Sequence, residues 1–105
     1  MFRSTSRPLE FCEVLGTITF KSNGSLISSD GYKSGAILHL GYAGVACTPS
    51  QANASETRLS KIYVGPGESE SGDQAILDQY LADTDWAAYS SKLDLWYNYT
   101  GDYKE

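Results

Sequence analysis

Histidine is almost missing from this chain: His39 is the only one among 105 residues, so any acid, base or metal role that needs imidazole must fall on it. Cysteine is nearly as scarce. Cys12 and Cys47 are too few for a disulfide framework and too far apart in sequence for a CxxC zinc pattern. The simplest expectation is two buried small apolar side chains, with their pairing left open. A Cys47 and His39 dyad fails on distance, because eight residues of strand separate them by roughly 26 Å and a helix would still leave about 12 Å.

Other chemistry is absent in the same way. Gly65-Pro66-Gly67 has neither the GxGxxG spacing nor the GK[ST] ending of a phosphate loop and reads as a turn. Asp83-Thr84-Asp85 opens like a calcium loop but lacks the later ligands and the glycine, so its carboxylates are better placed at a helix start. Thirteen acids offer no pair singled out by spacing as glycosidase carboxylates. These absences lean against an enzyme. They nominate no catalytic residue, no cofactor and no metal.

No apolar stretch is long enough to span a bilayer, and Met1 to Pro8 lacks the apolar core of a secretory signal. The expected location is therefore cytoplasmic, and sequons at Asn23, Asn53 and Asn98 carry no weight on that reading. Basic residues are also few. Eight Lys and Arg face thirteen acids, for a net charge of −5 and an isoelectric point near 4.7. That balance argues against direct nucleic-acid binding and against an anionic membrane surface. The deficit is uneven, with residues 1–62 at +2 and residues 63–105 at −7. Head-to-tail contact between copies is thus electrostatically favoured, and a homo-oligomer or a protein partner is expected.

What is present is the composition of one folded domain, 41% hydrophobic and 12% aromatic. Cys12, Val14, Ile18 and Phe20 alternate at period two and predict a strand from Phe11 to Lys21. Asn23-Gly24 then supplies the strongest short hairpin signal, pairing Phe20 with Ile27. Ala36 to Cys47 reads as a long strand bent at Gly41 and Gly44, with Ala36, Leu38, Leu40 and Tyr42 toward the core, although helical spacing fits Ile37, Leu38 and Tyr42 too. Thr48 to Glu56 reads as a polar loop and Arg58 to Val64 as another strand.

From Ser71 the pattern turns helical. Ser71 and Gln74 fit a capping box, and Ile76, Leu77, Tyr80 and Leu81 mark one face. Trp86, Tyr89, Leu93 and Trp96 recur at three and four residues and predict a second helix packed on the sheet. Strands followed by helices define an α+β fold: an antiparallel sheet of three to five strands followed by one or two C-terminal helices packed on it, in a single domain over 1–105 with a β-rich part at about 11–64 and a helical part at about 72–99.

Leu77 to Trp86 resembles the Tyr-Leu-x-x-Thr-Asp-Trp segment of small tail-associated and tail-fibre-assembly proteins of tailed phages. The resemblance implies a virion or mobile-element protein with an assembly role. The aromatic C-terminus gives an independent reason to expect contacts, because it holds more rings than one helix face buries in so small a domain. The primary expectation is a non-enzymatic interaction subunit assembling through a sheet edge and an aromatic C-terminal helix, with Trp96, Tyr97, Tyr99 and Tyr103 as its interface. The alternative is a small-ligand module or small enzyme whose pocket between sheet and helix is lined by Tyr42, Tyr63, Trp86 and Tyr89. A third reading takes the acids from Glu68 to Asp85 as a phosphate mimic for a nucleic-acid-binding protein.

Overall fold

The apolar run at 36–40 forms a strand at the middle of the sheet, and its neighbours on both sides explain why all five residues are buried. The computed structural model describes residues 12–15, 20–21, 32–42 and 47–101. Within them lie β1 (Cys12–Leu15), β2 (Phe20–Lys21), β3 (Ala36–Leu40), α1 (Pro49–Ala52), β4 (Leu59–Val64), α2 (Glu70–Ala82) and β5 (Leu93–Leu95). Two 3-10 turns, Ala87–Tyr89 and Trp96–Asn98, flank β5. The strand order is β2-β1-β3-β4-β5.

The α+β class holds, but the sheet is mixed. β1 runs antiparallel to β2 and β3, whereas β3, β4 and β5 are parallel to one another. The cause lies in the connections. A parallel neighbour needs a crossover, and α1 and then α2 supply helical material between β3, β4 and β5, where a tight hairpin would have forced antiparallel pairing. The predicted single strand from Phe11 to Lys21 is also corrected. Val14 pairs with Phe20, so the chain doubles back between β1 and β2. That register pairs even positions with even ones, so the apolar alternation keeps its parity through the reversal and cannot by itself distinguish one strand from two arms. The Asn23-Gly24 turn and the Phe20 to Ile27 pairing fall outside the described residues.

Register assigns each face of the sheet. Val14, Leu38 and Ile62 align across neighbouring strands, as do Cys12, Leu40 and Val64, and Leu93 and Leu95 extend the two rows. All are buried in one core with Ile76 and Tyr80 of α2, Trp86, Tyr32 and Ala52. Polar ends inside this core are paired. Tyr80 Oη donates to Gly41 O at 2.5 Å, Tyr32 Oη to Ala52 O at 2.6 Å, and Trp86 Nε1 to Cys47 O at 3.1 Å.

The second C-terminal helix does not form. Leu93 and Leu95 are buried on either side of half-buried Asp94, a period-two pattern, and the chain there extends as β5 beside β4. The spacing of Trp86, Tyr89, Leu93 and Trp96 therefore arises from a 3-10 turn, a strand and a second 3-10 turn in succession. Short apolar runs carry no unique period. Helix α2 itself begins at Ser69, whose Oγ accepts the Gly72 N–H at 3.0 Å, two residues before the predicted cap. The expected polar loop contains α1, started by a capping box between Thr48 and Gln51 with Pro49 at its first position. β3 stops at Leu40, and Tyr42 stands 41% exposed rather than facing the core.

Cys12 and Cys47 are joined in a disulfide, their Cα atoms 6.3 Å apart. They are buried as expected, and the pairing of β1 with β3 sets Cys12 opposite Leu40, near the end of β3 from which the chain runs on toward Cys47. The bond closes a loop of 35 residues. Loop-closure entropy over that length predicts that Cys12→Ser/Cys47→Ser loses about 3–4 kcal/mol of stability, read as a lower denaturant midpoint.

Burial first, and then the charge of Glu56, pushes the Tyr32 phenol up to about 12. Burial and then Asp83 raise Tyr80 as well. An unfolded tyrosine ionises near pH ~10, so above that pH the unfolded chain sheds protons the folded one keeps. Stability should hold from neutrality to roughly pH 10 and fall as pH rises toward the folded value. Urea melts across this range, with tyrosinate absorbance followed in parallel, measure that decline.

Candidate functional site

The second face of the sheet carries the polar residues. Glu13 of β1, His39 of β3, Tyr63 of β4 and Asp94 of β5 stand side by side in register, one from each of four adjacent strands. Because side chains alternate, the strand positions that bury leucines and valines against α2 turn these four the other way. Glu13 and His39 are buried, Tyr63 and Asp94 half-buried.

Trp96 roofs the row. Its indole stacks on the His39 ring at 3.9 Å and 19°, and Tyr99 stacks on the indole at 4.6 Å and 8°. Tyr63 meets both Trp96 and Tyr99 edge-on. Burial, then Asp94, then Tyr99 hold the Tyr63 phenol above its usual value. Lys61 Nζ reaches Asp94 at 3.6 Å at the open end of the row.

His39 is fixed from both sides. Nε2 lies 2.7 Å from Gly65 O, and since a carbonyl only accepts, Nε2 carries a proton. Glu13 Oε2 is 3.7 Å from Nδ1. In this arrangement the Nε2–H ties β3 to the turn after β4, and Nδ1 faces Glu13. The side chain works as a bolt between neighbouring parts of the sheet.

The same turn is held by Asp73, which is wholly buried in the first coils of α2. Its Oδ1 accepts the Gly67 N–H at 3.1 Å and its Oδ2 the Tyr97 N–H at 2.9 Å. Charged acceptors make the stronger kind of backbone hydrogen bond. Gly65 and Gly67 both have positive φ, at 93° and 82°. A Cβ on Gly65 would collide with the Asp73 carboxylate, and one on Gly67 would lie 2.6 Å from Trp96 Cδ1. Sequence reading found the turn but not Asp73, which appeared only as one acid in an acidic run. A weak signal existed: Asp73 sits three residues before the apolar face marked by Ile76.

The predicted interface residues separate. Trp96 is buried beneath Tyr99, Tyr99 is half-buried, Tyr97 stands 45% exposed, and Tyr103 lies outside the described residues. The predicted pocket residues are not brought together either. Trp86 and Tyr89 pack edge-on within the core that α2 covers, Tyr63 belongs to the opposite face, and Tyr42 projects beyond β3. Among the described residues no cluster of three or more His, Cys, Asp or Glu could hold a metal ion, and no helix is long and apolar enough to cross a membrane.

The outer face of α2 is the remaining surface with a distinct character. Asp78, Leu81 and Ala82 are exposed at spacings of three and four, and exposed Asp85 follows just past the helix end. Leu81 is 42% exposed. The last turn of α2 has no basic residue, so the negative end of the helix dipole is left beside these carboxylates. From Tyr63 to Ser91 the chain contains no Lys or Arg.

Replacing Asp73 with Ala would strand two N–H groups and remove two charge-assisted bonds, a loss of about 3–5 kcal/mol. Asp73→Asn keeps one acceptor but points an amide N–H at the second donor, so an intermediate loss is expected. Denaturant melts of both variants rank the three proteins. Equal stability of Asp73→Ala and wild type would refute the role given to this carboxylate.

Comparison with known proteins gives no relative: no family model, no curated protein and no solved structure matches this chain.

Proposed function

We propose that this protein is a non-enzymatic interaction subunit that receives a basic, amphipathic protein surface on the outer face of α2. The observation that carries the reading is Leu81, a large apolar side chain held in water at the C-terminal end of a helix where the dipole, Asp78, Asp83 and Asp85 all add negative potential. Helices gain stability from Lys or Arg in that position, and this one has none. Local stability is thus set aside at one place, which is where binding surfaces are found. An apolar anchor with a like-charged rim suits a partner carrying Lys and Arg around an apolar side chain.

The sheet edge at β5 is a poorer candidate for assembly. Ile62 N–H bonds to Lys92 O, so the alternate positions Leu93 and Leu95 turn their backbone groups outward. The Leu95 N–H is taken by the Asp94 carboxylate at 2.7 Å and the Leu93 N–H by Ser90 O at 3.3 Å. A three-residue edge whose outward donors are engaged offers little template for another strand. The Leu77 to Trp86 segment, similar to phage tail-assembly proteins, includes Leu81 and Asp85, which agrees with an assembly role. Its Tyr80 and Trp86 serve the core, packed edge-on at 5.5 Å.

The test is co-purification from the source cell with wild type and with Asp78→Lys/Asp85→Lys. A partner that binds wild type should be weakened about tenfold or more by the charge reversal and should dissociate as salt rises. Leu81→Ala should weaken it without removing the salt dependence. Retention of every bound protein by the charge-reversed form, at unchanged salt tolerance, would overturn the proposal.

A further inference from the structure

We propose that Asn98 is an acceptor for an N-linked glycan and that the domain matures in an oxidising compartment. The chain has three asparagines, and all three stand in Asn-x-Ser/Thr with x other than proline: Asn23-Gly24-Ser25, Asn53-Ala54-Ser55 and Asn98-Tyr99-Thr100. Serine and threonine together make up a fifth of the residues, so three asparagines placed at random would all carry the motif about one time in a hundred. The pattern is therefore informative where one sequon would not be. A second and unrelated mark agrees with it. The two cysteines are joined to each other, and both are buried. A cytosolic thiol pool keeps such pairs reduced, whereas the compartments that attach N-glycans are oxidising.

Geometry selects Asn98 from the three. Asn23 lies outside the described residues. Asn53 is half-buried in the left-handed conformation at φ 52°, and its backbone closes the end of α1. Asn98 and Thr100 are both exposed, while Tyr99 between them turns inward onto Trp96. The chain leaves the 3-10 turn at Tyr99, whose backbone is extended with φ −71° and ψ 132°. The acceptor amide and the hydroxyl that the transferase reads are thus both open to solvent. The segment is braced on both flanks. Tyr97 N–H is bound to Asp73, Trp96 is stacked on His39, and Tyr99 N–H donates to Trp96 O at 3.0 Å.

The reaction balances with one co-reactant, a lipid-pyrophosphate-linked oligosaccharide. Asn98 Nδ2 forms a bond to the anomeric carbon, the bond from that carbon to the phosphate oxygen breaks, the lipid pyrophosphate leaves, and Nδ2 gives up one proton. The neighbouring Tyr97 gains an account as well. A ring 45% exposed beside the acceptor offers an apolar surface to the first sugar.

Protein purified from its own cells, and the same chain passed through a eukaryotic secretory pathway, would be treated with peptide N-glycosidase and compared by intact mass and peptide mapping. The expected result is a mass loss, an aspartate at position 98 of the treated peptide, and two cysteines that alkylate only after reduction. Thr100→Ala leaves Asn98 in place and should abolish the mass loss at that site, with an unchanged melting curve as the folding control, whereas Asn53→Gln should keep it. An unmodified Asn98 in the source protein, free thiols there, or a glycan at 98 that survives Thr100→Ala would overturn the proposal.

Discussion

The carboxylate of Asp73 joins three parts of the molecule that are far apart in sequence. From the start of α2 it accepts one N–H from the turn after β4 and another from the turn after β5. Buried charge is tolerated only when hydrogen-bonded, and here the donors are backbone groups that would themselves be stranded without it. The turn it holds supplies the Gly65 carbonyl to His39, and the second turn supplies Trp96 to cover the His39 ring. The parallel half of the sheet is therefore closed at its carboxyl end by a chain of contacts that begins at one acid.

This arrangement explains why the residues most suggestive of chemistry do structural work. His39, Glu13 and Asp73 are the buried polar or charged side chains described, and His39 from β3 and Asp73 from α2 both hold the turn after β4. The aromatic C-terminus behaves alike. Trp86 and Trp96 are sealed on opposite faces of the sheet, and two rings of one short segment thus serve two separate layers. The features left on the surface are fewer and different: Leu81 amid carboxylates, and Tyr97 beside Asn98.

Local rules located much of this structure. The strands at 36–40 and 59–64, the turn at 65–67, and a helix through Ile76 and Tyr80 all follow from period, turn chemistry and capping. The same rules misread 93–96, where rings and leucines at spacings of three and four belong to a strand between two 3-10 turns. They also missed the doubling-back between Val14 and Phe20. In each case the pattern was degenerate: too short to show one period, or unchanged in parity where the chain reverses.

Sequence by itself determined the class, the acidity of the last third and the identity of every group available for chemistry, because these depend on composition and on neighbours a few residues away. Only the tertiary structure decided that Cys12 meets Cys47, that Glu13, His39, Tyr63 and Asp94 form one row, and that Asp73 is buried while Asp78 and Asp85 are not. Those outcomes rest on strand order and on parallel crossovers. They are set by how the whole chain encloses a core, and no local window of sequence contains that information.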